Sequence, residues 1–231
     1  MRCVKRRIKE VIQMKNLDQR NQIIEYSLKL NSTNLSPLRS GNISLRSEEN
    51  RIDGYLITPS GKKYETLKPE DIVFMGLNEE AENNDLANKP SSEWRFHRDI
   101  YVNKKEAQAI VHAHSPHATA VSSHGKSIPP FHYMIALAGG EDIKCAEYAT
   151  FGTKELSQNV IKALENRSAC LMSNHGQVAF GKNLDQAFEL AQEIENICHQ
   201  YTIALKLGKP KILSLEEMKK VLEKAKDYKK G

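Results

Sequence analysis

The stretch from Ala109 to Ala118 constrains the fold more than any other part of the chain. It begins as an apolar run and turns polar at His112 and His114. An apolar run rich in β-branched residues is typical of a buried strand, and side chains two residues apart on a strand share a face. A rise of about 3.3 Å per residue separates the two histidines by about 6.6 Å, so their ring nitrogens can converge on one ion. The pattern predicts a strand ending in a metal site, although a purely structural role for both rings stays open.

A catalytic zinc site keeps three protein ligands and one open position. His175 is the best third ligand because it also ends an apolar run, and because Gly176 beside it permits a close backbone approach. A histidine within a helix, such as His199, is more simply a half-exposed surface residue. The candidates as a group are His97, His117, His124, His132, His175 and His199.

Glu93 is the carboxylate that we expect to act as acid and base. It follows Ser91 and Ser92 at a predicted helix start, where the helix N-terminus favours an anion. A capping role explains this glutamate equally well. Three short polar turns, at residues 40–42, 58–61 and 91–92, offer small side chains and backbone N–H groups that can surround a phosphate.

Composition and charge exclude several classes of function. None of the apolar runs in the 231 residues approaches the roughly 20 residues of a membrane helix, so we expect no membrane partner. The net charge of +5 comes from lysines interleaved with acidic residues, which argues against nucleic-acid binding and suits a phosphorylated small molecule. The basic N-terminus lacks the apolar segment of a signal peptide, and the four cysteines form no Cys-x-x-Cys pair. We therefore expect reduced thiols and a cytoplasmic protein.

Hydrophobic periodicity predicts strands interleaved with helices. The order indicates one α/β domain over residues 1–231, with a central, mostly antiparallel sheet flanked by helices. The predicted helices cover residues 4–30 with a break at 16–18, 91–102, 116–123, 153–166, 184–208 and 214–227. The predicted strands cover residues 40–46 and 54–58, which form a hairpin, then 72–75, 109–114, 145–148, 169–175 and 177–180; a short helical turn is predicted at 67–71.

From about residue 23 to residue 228 the chain resembles the zinc-dependent class II aldolase family of the aldolase/adducin type. Within it, the L-fuculose-1-phosphate aldolase subfamily is the most similar. The most specific runs are Pro90-Ser91-Ser92-Glu93-Trp94-Arg95-Phe96-His97, Val111-His112-Ala113-His114, His132-Tyr133-Met134-Ile135-Ala136, Ala138-Gly139-Gly140, Tyr148-Ala149-Thr150-Phe151-Gly152-Thr153 and Asn174-His175-Gly176.

The resemblance implies the class II aldolase/adducin fold and one zinc ion per subunit. The implied ligands are His112, His114 and His175, with Glu93 as a displaceable fourth ligand and as the acid/base. The positions matching the phosphate site are Gly41, Asn42, Ser60, Gly61, Ser91 and Ser92. Tyr133 matches a proton donor to the aldehyde oxygen, Tyr228 matches a C-terminal tyrosine, and Phe151 lines the same interface. The resemblance also implies a cyclic homotetramer with its active sites between neighbouring subunits.

The implied reaction is the cleavage of a ketose 1-phosphate, such as L-fuculose 1-phosphate, to dihydroxyacetone phosphate and L-lactaldehyde. Zinc would polarise the ketone as a Lewis acid and stabilise the resulting enediolate, so no lysine Schiff base is required. A ribulose-phosphate 4-epimerase and a sugar-phosphate dehydratase of the same superfamily are alternatives. The epimerases are less similar, because aspartate stands where this chain has Glu93.

An alternative of another class is a non-catalytic interaction domain like the adducin head, which lacks the metal ligands. The chain also departs from the aldolases in two places. About a dozen additional residues, many of them basic, precede the matching N-terminal helix, and the loop at residues 36–40 reads Ser-Pro-Leu-Arg-Ser instead of a turn with glycine and threonine.

Overall fold

The computed structural model describes residues 14–78 and 89–228, and side chains as far as residue 225. Within these ranges the chain forms one seven-stranded sheet covered by helices on both faces. The predicted α/β fold is confirmed. The predicted helix over residues 4–16 falls almost entirely outside the described residues, and so does the side chain of Tyr228.

The strand order in the sheet is β3-β2-β1-β4-β7-β6-β5. Every neighbouring pair is antiparallel except β5 with β6, which confirms the predicted, mostly antiparallel sheet. The predicted hairpin is also present, as β1 paired with β2. The strands are β1 (Asn42–Glu49), β2 (Ile52–Ile57), β3 (Val73–Gly76), β4 (Ala109–Ala113), β5 (Cys145–Ala146), β6 (Ala169–Met172) and β7 (Gly176–Gly181).

Six α-helices in the described ranges cover the two faces of the sheet. They are α1 (Leu17–Ser32), α2 (Trp94–Asn103), α3 (Pro116–Ser122), α4 (Lys154–Ala163), α5 (Leu184–Leu207) and α6 (Leu215–Tyr228), and short 3₁₀ helices lie at Tyr64–Thr66, Pro69–Asp71 and Tyr133–Ala138. Helices α1, α3, α5 and α6 pack on one face, whereas α2 and α4 pack on the other. None of the helices in residues 14–78 and 89–228 is long and apolar enough to cross a membrane.

Strand β4 lies at the centre of the sheet and is buried throughout. Val111 joins the core under α1 and α5, whereas Ile110 joins the core under α2 and α4. Because side chains alternate along a strand, His112 shares the face of Ile110 and points towards α2. This alternation places His112 beside α2, the helix that directly follows Glu93.

Helix α2 begins at Trp94, so the predicted start at residue 91 is wrong. The Ser91 N–H donates to the Thr58 carbonyl at 3.0 Å, and Pro59 forms an isolated bridge with Pro90. These contacts hold residues 90–91 beside the turn after β2, and the helix starts only beyond them. Glu93 becomes the residue preceding the first helical turn, at φ −101° and ψ 12°.

Strand β6 ends at Met172, three residues earlier than predicted, and His175 lies in the turn to β7. The turn passes through Asn174 in the left-handed region, at φ 54°. The close approach predicted at Gly176 is confirmed, because a Cβ there would lie 2.4 Å from the Ala113 carbonyl oxygen. The glycine lets β7 start directly against the end of β4, which places His175 beside His114.

Candidate metal centre

Four side chains converge at the end of β4: Glu93, His112, His114 and His175, whose potential ligand atoms all lie within 4.8 Å of one another. The Nε2 atoms of His112 and His114 are 2.9 Å apart. Glu93 Oε2 lies 3.0 Å from His112 Nε2, and Glu93 Oε1 lies 3.1 Å from His175 Nε2. The sequence placed these four residues in one site, and the structure brings them together.

The neighbouring strand β7 fixes the orientation of the His112 ring. Its Nδ1–H donates to the Gln177 carbonyl at 2.7 Å, because β4 pairs with β7 in that register. With the proton on Nδ1, the neutral ring carries its lone pair on Nε2, the atom facing Glu93 and His114. A backbone acceptor behind a ligating histidine fixes both its tautomer and its angle. Nothing in the sequence alone indicated Gln177.

Glu93 is nearly buried, with 5 % of its surface exposed, and it makes no capping hydrogen bond to α2. The capping interpretation is therefore wrong. Asn42 Nδ2–H donates to Glu93 Oε2 at 3.0 Å, and Asn42 is the β1 residue directly opposite His112. Glu93 Oε1 is buried and faces His175 Nε2 at 3.1 Å.

Burial and neighbouring charges shift the pKa values of Glu93, His112 and His114. Burial alone would raise the pKa of Glu93, but His112 and His175 outweigh it and hold that pKa well below its usual range. Burial lowers the pKa of His112, whereas Glu93 raises it, and the net shift is upward. For His114, burial and then its two histidine neighbours lower the pKa to about 3. An ionised carboxylate beside a neutral His114 is the state that a cation needs.

The donor set fits a divalent transition metal. Ligands at about 2.0 Å from a tetrahedral ion lie about 3.3 Å from one another, close to the 2.9–3.1 Å separations here. Three imidazoles and one carboxylate suit metals such as zinc. Glu93 Oε1, which faces His175, and the lone pair on His112 Nε2 are buried donor atoms that such an ion would bind.

The residues predicted to bind phosphate come from three adjacent loops. The Ser60 N–H donates to the Lys89 carbonyl at 2.9 Å, so the turn after β2 lies against the segment before Ser91 and Ser92. Gly61 is exposed at φ 76°, a conformation that favours glycine. Gly41 packs so closely that a Cβ there would lie 2.6 Å from the His112 carbonyl oxygen.

Asn42 differs from the other five predicted phosphate residues. It is 4 % exposed, and both ends of its amide are engaged inside the protein. Its Nδ2 faces Glu93, and its Oδ1 lies 2.5 Å from His97 Nε2. The side chain thus serves the Glu93 carboxylate, a contact that the sequence did not indicate.

A cavity of about 280 Å³ opens over Glu93, His114 and His175, whereas His112 is fully buried next to them. Phe151 and Tyr148 stand at its wall with 64 % and 61 % of their surfaces exposed, so two large aromatic rings flank the opening. Tyr133 does not line this cavity; it is 56 % exposed on the 3₁₀ helix and packs against His132. The lining residues are Ser40, Ser92, Glu93, His114, Tyr148, Ala149, Phe151, Asn174 and His175.

A larger cavity, of about 520 Å³, lies near Gly181 and Leu190, and its lining includes no described histidine. The smaller cavity is therefore the candidate active site, because it alone of the two contains the converging ligands. Sequence reasoning did not single out Asn174 and Tyr148 individually, although both lie in runs that resemble the aldolases.

Comparison with known proteins gives consistent matches. Residues 21–202 match the family described as Class II Aldolase and Adducin N-terminal domain. The chain is 44 % identical over 209 residues to a 5-methylthioribulose-1-phosphate/5-deoxyribulose-1-phosphate aldolase of Rhodospirillum rubrum, which covers 90 % of this chain and 91 % of that protein. It is 47 % identical over 208 residues to the L-fuculose phosphate aldolase of Escherichia coli, covering 90 % and 94 %. A solved L-fuculose 1-phosphate aldolase superposes with a TM-score of 0.83 at 39 % identity, covering 90 % of this chain and 96 % of that one.

Proposed function

Because the chain belongs to the class II aldolase and adducin family, we propose that it is a zinc-dependent aldolase that cleaves a ketose 1-phosphate. It is a class II aldolase of the fuculose-phosphate aldolase type, and hence a lyase. The proposed products are dihydroxyacetone phosphate and a short aldehyde. The observation that carries the proposal is the convergence of three imidazoles and one carboxylate at the floor of an open cavity.

Zinc is the proposed metal, held by His112, His114 and His175, with one ion per subunit. When bound, it supplies Lewis acidity that polarises the substrate ketone. Glu93 completes the ligand set and gives way to the substrate. The retention of all four groups also separates this chain from a non-catalytic binding module, which has no use for a buried carboxylate beside three histidines.

The proton transfers fall to side chains of the protein. When the C3–C4 bond breaks, its electron pair stays with C3. The C4 hydroxyl proton passes by way of Tyr133 to solvent, and Glu93 takes up from solvent the proton that it delivers to C3. Glu93 donates a proton to C3, and in the reverse direction removes it. Tyr133 is the proposed partner for the aldehyde oxygen, and Tyr228 is the proposed second tyrosine.

The phosphate of the substrate is proposed to lie among Gly41, Ser60, Gly61, Ser91 and Ser92. Ser92 lines the cavity together with the ligands, and the turn carrying Ser60 and Gly61 lies beside the segment that precedes it. The serine hydroxyls of these loops are suitable donors to phosphate oxygens, whereas the N–H groups of Ser60 and Ser91 already donate to the Lys89 and Thr58 carbonyls. Asn42 is also proposed for this phosphate site, and its side-chain amide contacts Glu93 and His97 as well.

L-fuculose 1-phosphate is the proposed substrate, and L-lactaldehyde the proposed aldehyde product. A second candidate is 5-deoxyribulose 1-phosphate or its 5-methylthio analogue, favoured by the 44 % identical aldolase that bears those names. All three share the ketose 1-phosphate half and differ only in the aldehyde half. The exposed rings of Tyr148 and Phe151 at the cavity wall are suited to meet that variable half.

A homotetramer with active sites between subunits is proposed as well, and Tyr133 supports it. This tyrosine lies outside the cavity of its own chain and is largely exposed, so it is available to a neighbouring subunit. Mixing Glu93→Gln subunits with Tyr133→Phe subunits is expected to restore activity that neither variant has alone. No recovery after subunit exchange would contradict shared sites. A cytoplasmic location is proposed because Cys145, Cys170 and Cys198 are free thiols.

The function is tested by incubating the zinc-loaded protein with the three ketose 1-phosphates and, as a control, with a pentulose 5-phosphate. We expect dihydroxyacetone phosphate from at least one ketose 1-phosphate and no epimerisation of the control. Epimerised pentulose phosphate without dihydroxyacetone phosphate would instead assign the chain to the epimerases.

A further inference from the structure

Polar side chains from helix α2 and strand β1 form a buried, hydrogen-bonded series that begins at Glu93. We call this series, Glu93, Asn42, His97, Ser44 and Tyr101, the zipper. Glu93, His97 and Tyr101 follow one another at intervals of four residues, and Asn42 and Ser44 are two residues apart on β1. Four helical residues rise about 6 Å and two strand residues about 6.6 Å, so the two series stay in step. Residues from the two elements consequently alternate, in the order Glu93, Asn42, His97, Ser44, Tyr101.

Each neighbouring pair in this series is hydrogen-bonded. Asn42 Nδ2 lies 3.0 Å from Glu93 Oε2, and His97 Nε2 lies 2.5 Å from Asn42 Oδ1. Ser44 Oγ lies 2.7 Å from His97 Nδ1 and 2.8 Å from the Tyr101 hydroxyl. All four side chains behind Glu93 are at most 4 % exposed, so water does not compete for these contacts.

The orientation of the Asn42 amide fixes the direction of the bonds in the zipper, because its Nδ2 donates to Glu93 Oε2 while its Oδ1 faces His97 Nε2. A carboxylate only accepts, so Asn42 presents its NH₂ group to Glu93 and its oxygen to His97. His97 must then carry its proton on Nε2 and accept at Nδ1 from the Ser44 hydroxyl. Tyr101 in turn donates to Ser44. Burial lowers the pKa of His97 to about 3, which keeps the ring neutral and able to accept at Nδ1.

We propose that His97 is a positioning residue for the acid/base of the aldolase reaction, acting through Asn42 on Glu93. By donating to Asn42 Oδ1, His97 prevents the amide from turning its oxygen towards the carboxylate. Asn42 then holds Glu93 Oε2, which leaves Oε1 facing His175 Nε2 at 3.1 Å. Ser44 and Tyr101 hold the His97 ring at its other nitrogen. The inference rests on the proposed function for its catalytic consequence.

Two substitutions at His97 distinguish a role in positioning Glu93 from a role in packing alone. His97→Phe keeps a ring in the buried space but removes the donor to Asn42. His97→Gln keeps an N–H group near the position of Nε2 and is expected to rescue. Ser157→Ala is the matched control. Ser157 is a fully buried residue of α4 that donates at 2.6 Å to Asp99, which lies on α2 like His97.

The readouts are zinc content, Tm, kcat and KM for cleavage, and hydrogen exchange of dihydroxyacetone phosphate in D₂O, which needs the base but no aldehyde. We expect His97→Phe to lower kcat and the exchange rate about tenfold to a hundredfold, with KM and zinc content unchanged, because misplaced catalytic groups cost that much. His97→Gln regains most of the rate, and Ser157→Ala changes Tm alone. Wild-type rates in His97→Phe, or equal losses in His97→Phe and His97→Gln, overturn the proposal.

An activity-independent measurement keeps this inference distinct from the proposed function. The His97 tautomer is read from long-range ¹H–¹⁵N correlations of the ¹⁵N-histidine protein, assigned by loss of the signal in His97→Gln. We expect the proton on Nε2. A proton on Nδ1 would reverse the direction of the zipper and refute it, even in an active aldolase. If the wild-type protein neither cleaves a ketose 1-phosphate nor exchanges dihydroxyacetone phosphate, the proposed function fails while the tautomer still decides the geometry.

Discussion

Gly176→Ala tests how far the metal centre depends on the close approach of β7 to β4. The added Cβ would lie 2.4 Å from the Ala113 carbonyl oxygen and 3.3 Å from the His114 Cα. Contacts of this kind become tolerable only at about 3.0–3.4 Å, so the two backbones must separate by about 0.6–1.0 Å. Both neighbours are backbone atoms and cannot rotate away. His175, next to Gly176, would move relative to His114.

Gly176→Ala is expected to lower the free energy of unfolding and to weaken zinc binding. Overpacking of this size destabilises by about 1–3 kcal/mol, and a protein of this length loses roughly 2–4 °C in Tm per kcal/mol. Displaced ligand geometry is expected to weaken zinc binding about tenfold to a hundredfold, as disruption of the surroundings of a metal ligand does. Thermal unfolding measures the first effect, and competition with a chromogenic chelator measures the second.

Gly208→Ala is the matched control. Unlike Gly176, Gly208 has a positive φ, of 123°, but a Cβ there meets nothing within 4 Å. It is expected to cost about 1 kcal/mol in backbone strain without any change in zinc affinity. The reasoning is refuted if Gly176→Ala binds zinc as tightly as the wild type, or if both variants weaken zinc binding equally.

Three further predictions follow from the site and its surroundings. Glu93→Gln is expected to lower cleavage and hydrogen exchange about 10²–10⁴-fold, with zinc still bound through three histidines; an unchanged exchange rate would remove Glu93 as the base. Burial lowers the pKa of His97 to about 3, so below about pH 6.5 the unfolded chain binds a proton at this residue that the folded chain does not, and stability falls as the pH drops. Between pH 7.5 and pH 5, His97 should account for a loss of about 2 kcal/mol in the free energy of unfolding by urea. This loss should be absent from His97→Gln. Thr153→Ala removes the oxygen that accepts from the Leu156 N–H at 3.2 Å at the start of α4, and should cost about 1 kcal/mol of stability with zinc affinity unchanged; a variant as stable as the wild type would contradict the cap.

Hydrophobic periodicity was enough to predict most of the helices and strands, because buried side chains recur about every 3.6 residues along a helix and every two residues along a strand. The Thr153 cap and Pro116 at the first position of α3 are local signals, and both are present. The errors were at boundaries set by distant contacts. Helix α2 starts later than predicted because residues 58–59 pair with residues 90–91. A prediction from local sequence has no information about that pairing.

Strand alternation placed His112 and His114 on one face and Gly176 favoured His175 as the third ligand, whereas Glu93 entered the ligand set only through the family resemblance. The polar groups behind them could not be selected in this way. Asn42 reaches Glu93 only because β1 pairs with β4 in the register that sets Asn42 opposite His112. His97 was only one of several third-ligand candidates, and its hydrogen bonds to Asn42 and Ser44 depend on how α2 packs against β1.

The central claim is that three histidines and Glu93 hold a zinc ion required for aldol cleavage. The most direct test removes metal with a chelator, returns zinc in measured steps, and follows the release of dihydroxyacetone phosphate from a ketose 1-phosphate. We predict that activity falls to background and recovers in proportion to zinc, reaching a plateau at one ion per chain, whereas His114→Ala stays inactive throughout. Full activity in the metal-free protein would contradict the claim.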